Sequence, residues 1–366
     1  MDRDASLPRT SSAPLVGRVV VAMSGGVDSS VAAALLHAQG VDVVGATLHL
    51  WDASSSSKVG RCCAPEDRDD ARRVCDHLGI PHYVVDEREL FRERVVDPFV
   101  AAYASGTTPA PCVACNQHVK LTRLVGLADA FGATHVATGH YARIESDSLG
   151  RPRLLRGRDA DKDQSYFLYG APSSVLGRLL FPLGALTKDE TRAEGRRLGV
   201  PNADKPDSQE LCFVPDGDVG HFVEAQGATP RAGRIIDESG LEVGRHAGVH
   251  RFTVGQRRGL GLAGGAPARY VLRIVRDTGD VVVGADDALA AHTFRARDVA
   301  WTVETPAVPF EALVRVRHRH TPAPARVTPL EGGFEACFHE PQRALTPGQA
   351  AVIYRGEEVV GGGTIV

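Results

Sequence analysis

The stretch Arg18-Val-Val-Val-Ala-Met-Ser-Gly-Gly-Val-Asp-Ser-Ser-Val-Ala-Ala-Ala-Leu-Leu-His-Ala38 decides the fold. Arg18–Met23 is a short apolar run rich in Val, the pattern of a strand buried on both faces. Ser29–Ala38 reads as a helix that Gly40 stops. Between them lies Ser24-Gly-Gly-Val-Asp-Ser-Ser30. Its glycines let the backbone turn tightly and approach a ligand. The helix that follows offers unpaired N–H groups and the positive end of its dipole, which suit phosphate. Ser24, Ser29 and Ser30 add hydroxyl donors. A Walker A loop, G-x-x-x-x-G-K-[ST], occurs nowhere in the chain.

Outward from this stretch, Val41–Leu50, His82–Asp86 and His135–Gly139 read as further strands. Pro65–Leu78, Leu90–Tyr103 and Val119–Phe131 read as helices. Alternation of this kind implies right-handed βαβ units and a parallel sheet. From about Val214 the character changes, with dense Gly and short alternating runs such as Arg269–Val275, Asp280–Val283, Leu313–His318, Phe334–Phe338 and Ala350–Tyr354. These suggest a small β barrel. The expected fold class is α/β: a doubly wound parallel-sheet domain over 17–213 carries the loop. A small central β-containing domain over 214–285 and a C-terminal β barrel over 286–366 follow, and 1–16 forms a polar, disordered tail. Gly259-Leu-Gly261-Leu-Ala-Gly264 fits G-x-G-x-x-G, but no suitable strand precedes it, so a dinucleotide site is not expected there.

Composition narrows the function classes. The chain has 366 residues, 43% of them hydrophobic and 24% charged, with a formal net charge of -3. At about 150 residues per domain this suggests two or three domains. The balance excludes disorder for the bulk of the chain and any global nucleic-acid field, so a nucleic-acid site would be a local patch. No run of about 18 apolar residues suggests a membrane span. The start, MDRDASLPRTSSAPL, lacks an apolar signal core, and the expected location is the cytoplasm. Five of the 42 basic residues are Lys: Lys58, Lys120, Lys162, Lys188 and Lys205. Either chance or a need for a compact, flexible point charge at these positions accounts for the scarcity.

Seven cysteines, an odd number, argue against a secreted disulfide framework. Cys112 and Cys115 sit in Thr108-Pro-Ala-Pro-Cys-Val-Ala-Cys-Asn116, where two prolines suggest a stiff extended approach to a helix starting near Gln117. A thiolate near a helix N-terminus is stabilised by the dipole, which makes Cys115 a nucleophile candidate. Cys212 lies in Asp207-Ser-Gln-Glu-Leu-Cys-Phe-Val214, at the junction of the two halves. Three readings stay open. Cys112, Cys115 and His118 suit a zinc site. Cys212 suits a buried core thiol. Cys115 and Cys212 suit paired sulfur chemistry, in which a persulfide on one attacks and the other closes a disulfide to release product. Cys62-Cys63, Cys75 and Cys337 lie in no such context, and the adjacent Cys62-Cys63 read as buried small residues. In Arg315-Val-Arg-His-Arg-His320, a strand would put Arg315, Arg317 and Arg319 on one face. Such a row either tracks a phosphate backbone or keeps an edge strand soluble.

The loop Ser24–Ser30 resembles the pyrophosphate-binding loop of the N-type ATP pyrophosphatases, which cleave ATP to AMP and pyrophosphate and adenylate an oxygen. With it occur, in order, Pro111–Asn116, Ala137-Thr-Gly-His-Tyr-Ala-Arg143, Lys162-Asp-Gln-Ser-Tyr-Phe167, Ser208–Val214, Gly244–Leu260 and Pro347-Gly-Gln-Ala-Ala-Val352. Together these motifs resemble the tRNA-specific 2-thiouridylases over roughly residues 17–366. The resemblance implies ATP with Mg2+ and tRNA as partners, the target being the wobble uridine of Lys, Glu and Gln tRNAs. O2 of that uridine is adenylated and a persulfide sulfur then displaces AMP at C2. A cysteine desulfurase or a sulfur-relay protein is the implied donor.

By position, Cys115 matches the family's nucleophile and Cys212 its persulfide carrier. Ala22, Met23, Ser24, Gly25, Gly26, Val27, Asp28 and Ser29 match the ATP loop. Leu48, where the family usually has Met against the adenine, and Gly139 match further ATP contacts. Contact with tRNA is implied for Ala110, Pro111 and Cys112, for His140, for Lys162, Asp163 and Gln164, for Arg317 and His318, and for Gln349. Cys112 stands where many members carry an Asp proposed to move a proton. Three thiolates, Cys112, Cys115 and Cys212, could instead hold a [4Fe–4S] cluster with one iron open and deliver sulfur from it.

Overall fold

The computed structural model describes residues 17–52, 65–207, 211–214, 217–262 and 267–366. The expected tail over 1–16, Lys58, Cys62, Cys63 and Gly264 lie outside them. The deciding stretch folds as read: strand β1 is Arg18–Ala22 and helix α1 is Val27–Ala38. Next come β2 (Asp42–His49), α2 (Pro65–Leu78) and β3 (His82–Asp86). The helix expected over Leu90–Tyr103 is α3 (Arg88–Phe91) and α4 (Asp97–Ala104), joined by a π-helical turn at Arg92–Val96. Pro98 explains the join, because a proline inside a helix removes one N–H and crowds the carbonyl four residues back, and a wider turn relieves both.

The second helix corrects the reading. It begins at Pro111, as α5 (Pro111–Cys115), and continues through a π-helical turn at Asn116–Lys120 into α6 (Leu121–Ala130). A proline fits the first helical position, where its missing N–H would be unpaired anyway. Cys112 therefore occupies the first turn, and Cys115 lies beyond it instead of at the N-terminus. Two short strands, β4 (His135–Ala137) and β7 (Leu179–Leu180), flank a hairpin of β5 (Ala142–Ser146) and β6 (Pro152–Arg156). Helices α7 (Ser173–Leu176), α8 (Lys188–Arg197) and α9 (Val219–Ala225) complete this part.

The chain divides into two compact units. Among the described residues the first comprises 17–52, 65–90, 116–207, 211–214 and 357–359. Its sheet has the order β3-β2-β1-β4-β7, with every neighbouring pair parallel. Val19, Val20 and Val21 of the central strand are wholly buried, as a strand covered on both faces requires. Against one face pack Ala33 and Leu36 of α1 with Ala71, Val74 and Cys75 of α2. The other side of α1 packs Val27, Val31 and Leu35 on Tyr141, Leu183 and Leu186. The order reverses between β1 and β4, and in open α/β sheets the crevice at the carboxyl ends of such strands is where ligands bind. The Ser24–Ser30 loop leaves β1 at that end. Glu357–Val359 belong here as well: Glu358 pairs with Leu155, and the Arg153 guanidinium donates to both Glu358 carboxylate oxygens at 2.8 and 2.9 Å.

The second unit comprises residues 91–115, 216–356 and 360–366. One sheet, in the order β10-β11-β8-β9, is made of β8 (Gly233–Asp237), β9 (Glu242–His246), β10 (Tyr270–Ile274) and β11 (Val281–Gly284). Six strands build a barrel: β12 (Ala290–Trp301), β13 (Phe310–Arg315), β14 (Ala323–Leu330), β15 (Gly333–Arg343), β16 (Ala350–Arg355) and β17 (Glu358–Ile365). The order is β12-β15-β14-β13-β16-β17, and pairing of β12 with β17 closes it. Phe334, Ala336 and Phe338 alternate inward along β15 onto Val314, Val327, Ile353 and Val360, the period of two that a filled barrel needs. The strand expected over Leu313–His318 stops at Arg315, and Arg317–His320 is a turn in which His320 N donates to Arg317 O at 3.0 Å. The row of arginines on one strand face is therefore not formed. Arg315 is buried and its guanidinium donates to the His318 carbonyl, which bends the chain out of the ladder.

Candidate functional site

In the first unit the loop is folded around one carbonyl. Ser29 Oγ and Ser30 Oγ donate to Gly26 O at 3.0 and 2.9 Å, and Ser24 N donates to Ser29 Oγ at 3.1 Å. Thr47 Oγ1 donates to Met23 O at 2.7 Å and fixes the exit from β1. Gly26 is the N-cap of α1 and supplies no side-chain acceptor to its first-turn amides, which leaves that positive end for an anion. Two glycines are obligatory. Gly25 has φ +75°, and a Cβ there would stand 1.9 Å from Asp67 O. At Gly139, just past β4, a Cβ would stand 2.6 Å from both Asp28 C and Ser29 N. Leu48, near the end of β2, is partly exposed at the same carboxyl edge.

A network of lysines and carboxylates surrounds the loop. Thr187 and Glu190 form a capping box that starts α8 and sets Lys188 at its first position. A cation there opposes the helix dipole. It is held by carboxylates: Lys188 Nζ stands 2.7 Å from Asp28 Oδ1 in the loop and 2.7 Å from Asp207 Oδ1. The Tyr141 hydroxyl also donates to Asp28 Oδ1, at 3.0 Å, and burial followed by the Asp28 charge raises the phenol's pKa. Lys162 Nζ and Arg192 complete the shell of Asp207 at 2.8 and 3.1 Å. Burial pushes the Asp207 carboxyl up, but hydrogen bonds from Lys162 and Lys188 outweigh it and hold the carboxyl below its ordinary value. Asn202 Nδ2 and Lys205 Nζ donate to Gly25 O at 3.0 and 3.1 Å, and Lys205 also binds Asp67 and Asp70. Motif reading did not find Lys188, Asn202 or Lys205, and it included Tyr141 without a role. The one signal was the scarcity of lysine: three of the five lysines meet this network.

The residues expected to meet tRNA in this unit differ in what is left to offer. Asp163 is buried and accepts from Gly157 N and Ser165 N, both at 3.1 Å, so its carboxylate is used inside the fold. Gln164 Oε1 accepts from Tyr141 N at 3.0 Å. Lys162 and Gln164 are both half-buried, and Lys162 Nζ is paired with Asp207 at 2.8 Å. His140 Nδ1 lies 2.6 Å from Thr138 Oγ1, and burial, with the nearby Lys120 charge, pushes its pKa down to about 3. At neutral pH its ring is therefore an uncharged hydrogen-bonding or stacking surface. Cys212 is half-buried in a turn closed by Val214 N donating to Leu211 O at 3.1 Å, beside Phe213, which packs edge-on to Trp51.

In the second unit Val113 N and Ala114 N donate to Ala110 O at 3.1 and 3.4 Å, which starts the helix at Pro111. Cys112 is exposed and Cys115 is buried. Gln349 is brought to the start of this segment, where Nε2 donates to Thr108 O at 3.0 Å and to Pro109 O at 3.2 Å. Arg317 and His318 lie in the turn after β13, where Arg317 donates to Arg343 O at 3.1 Å. Among the described residues no three His, Cys, Asp or Glu side chains are gathered into a group that could hold a metal.

Comparison with known proteins agrees with this architecture. Residues 17–216 match the family described as tRNA methyl transferase HUP domain, residues 220–285 its PRC-barrel domain, and residues 291–365 an aminomethyltransferase beta-barrel domain. Among solved structures, an NMN synthetase from Francisella tularensis is similar at TM-score 0.34 and 20% identity, over 57% of this chain and 72% of that one, a likeness too low to carry weight. The tRNA-specific 2-thiouridylase MnmA of Solibacter usitatus is 48% identical over 95% of this chain and 98% of its own. That of Sorangium cellulosum is 54% identical over 95% of this chain and 92% of its own. With all three domains matched in order and identity at this level along almost its whole length, the chain belongs to the tRNA-specific 2-thiouridylase MnmA family.

Proposed function

We propose that this protein is an ATP-dependent tRNA sulfurtransferase that acts in the cytoplasm on the wobble uridine and replaces O2 by sulfur. The observation that carries the nucleotide half is the loop itself. Gly25 and Gly139 admit no Cβ, α1 begins without a side-chain cap, and both features lie at the reversal point of a parallel sheet. The oxygen at C2 is a poor leaving group. Attack of that oxygen on the α-phosphate of ATP breaks the bond to the β-phosphate, releases pyrophosphate and leaves AMP bonded to O2, while the proton of N3 is lost to solvent or base.

The amides of α1 suit the departing pyrophosphate, the Ser29 and Ser30 hydroxyls being spent on Gly26 O, and Lys188 and Lys205 hold the loop that presents them. The terminal sulfur of a Cys212 persulfide then attacks C2, and the bond to AMP breaks. The Cys115 thiolate attacks the Cys212 sulfur. This releases 2-thiouridine and leaves a Cys115–Cys212 disulfide, which a two-electron thiol reductant reopens. A cysteine desulfurase or relay protein reloads the persulfide. Mg2+ bound with ATP would supply charge neutralisation at the phosphates.

The test is thiolation of a tRNA transcript with ATP and a desulfurase, read as 2-thiouridine by mass spectrometry with AMP counted alongside. One AMP per thiouridine, lost in Cys115→Ser and in Cys212→Ser, is the expected result. Thiolation that survives Cys212→Ser would overturn the persulfide assignment.

A further inference from the structure

The segment Thr108-Pro109-Ala110-Pro111 leads into the helix that carries Cys112 and Cys115, and it is short of donors, because neither proline has an N–H. Its carbonyls therefore need partners from elsewhere. Gln349 supplies them, with one amide nitrogen donating to both Thr108 O and Pro109 O. In return, Thr108 N donates to Pro347 O at 3.1 Å. Between these contacts lies Gly348, with φ +93°, where a Cβ would meet Thr107 Cγ2 at 2.4 Å and Thr108 O at 2.8 Å. Only glycine lets the two backbones come this close.

The turn is itself rigidly mounted. Gly348 N donates to Ile365 O and Ile365 N donates to Gln349 O, both at 2.9 Å, which ties it to the last strand of the barrel. From the other side Thr108 Oγ1 donates to Thr253 Oγ1 at 3.3 Å, and a Cβ on Gly106 would be 2.5 Å from Ile274 Cγ2. The next carbonyl along, Ala110 O, accepts the first bonds of α5. The segment is thus fixed on both sides immediately before the helix that holds the sulfur.

We propose that the Pro347-Gly348-Gln349 turn is a positioning element for Cys115: the barrel sets where the helix bearing the nucleophile begins, through the Gln349 amide. This rests on the reading of Cys115 as the nucleophile. It differs from a role for Gln349 as a tRNA contact, because the amide donor is already engaged by Thr108 and Pro109.

The experiment compares Gln349→Ala, Gln349→Glu and Gly348→Ala with the unchanged protein. Three quantities are measured: tRNA affinity by filter binding, thiolation rate at saturating tRNA, and the pH profile of Cys115 alkylation by peptide mass spectrometry. Gln349→Glu keeps the length and removes the donor, so it remains informative if the smaller residue unfolds the turn. The expected result is a thiolation rate at least about 10-fold lower and a displaced Cys115 alkylation profile, with tRNA affinity within about 2-fold. Affinity lowered 10-fold with rate and profile unchanged would make Gln349 a tRNA contact and overturn the proposal, as would no change in any quantity. Alkylation is read without turnover, so the proposal can fail while Cys115→Ser still abolishes thiolation, and the two readings fail separately.

Discussion

Lys188 and Asp28 meet at 2.7 Å across 160 residues of sequence, and this contact ties the start of α8 to the loop after β1. The lysine side chain is 11% exposed and the aspartate 32%. Removing one partner of a buried pair leaves a charge without its counter-ion, which costs about 3–5 kcal/mol when burial is complete. Asp207 keeps Lys162 and Arg192, and Asp28 is partly solvated, so Lys188→Met is expected to cost about 2 kcal/mol. Urea unfolding measures it, and ATP affinity is expected to fall in the same variant.

Glycine substitutions separate close approach from mere backbone strain. Gly25 and Gly40 share a positive φ, +75° and +77°, but only Gly25 has a carbonyl where a Cβ would go. Gly40→Ala is expected to cost about 1 kcal/mol, the ordinary penalty of a left-handed residue. Gly25→Ala must also displace the start of α2. It is expected to abolish nucleotide binding and to lower the melting temperature well beyond Gly40→Ala, as calorimetry would show.

His140 sets a pH dependence. Its folded pKa of about 3 lies below the ordinary 6.5, so between those values the unfolded chain binds the extra proton. Stability is therefore whole above pH 6.5 and declines as pH falls towards 3. Asp207 and Asp70, whose pKa values are also lowered, add to the decline only below about 3.8. In His140→Asn the urea midpoint is expected to be flatter between pH 6.5 and 4.5 than in the unchanged protein. Parallel curves would count against an imidazole that stays neutral across this range.

The cysteines should sort by environment. Burial, with the Asp76 charge, pushes the Cys75 thiol up to about 12, and its sulfur lies inside the α/β core. Native protein alkylated with iodoacetamide at pH 8 is expected to label Cys112, which is exposed, and to spare Cys75. Labelling of both at one rate would mean that α2 does not stay packed on the sheet.

Local pattern was enough for β1, α2 and β3, because consecutive valines, a Gly stop and an apolar stripe are written in adjacent residues. It failed where the cause was distant or stereochemical. Pro111 reads as a helix breaker, yet at a first position it is compatible with the helix, and the helix began six residues before the place expected for it. The Arg-x-Arg-x-Arg spacing has a strand's period, but one guanidinium turned back to the His318 carbonyl ends the strand. The loop was legible because its chemistry is contiguous. Lys188, Asn202 and Lys205 were not, since each reaches the loop from more than 150 positions away and no motif links them to it.

The Glu357–Val359 strip gives the loop-bearing unit an unusual dependence on the order of synthesis. Arg143 and Arg153 emerge early, and their carboxylate partners, Glu357 and Glu358, follow 214 and 205 residues later. During translation the hairpin β5–β6 waits for these carboxylates while most of the barrel is made; Arg143 already has Glu145 at 3.0 Å, but Arg153 has yet to meet Glu358. A chain lacking Glu357–Val359 would leave the loop-bearing unit without its Glu358–Arg153 contacts, although nearly all of that unit would be present.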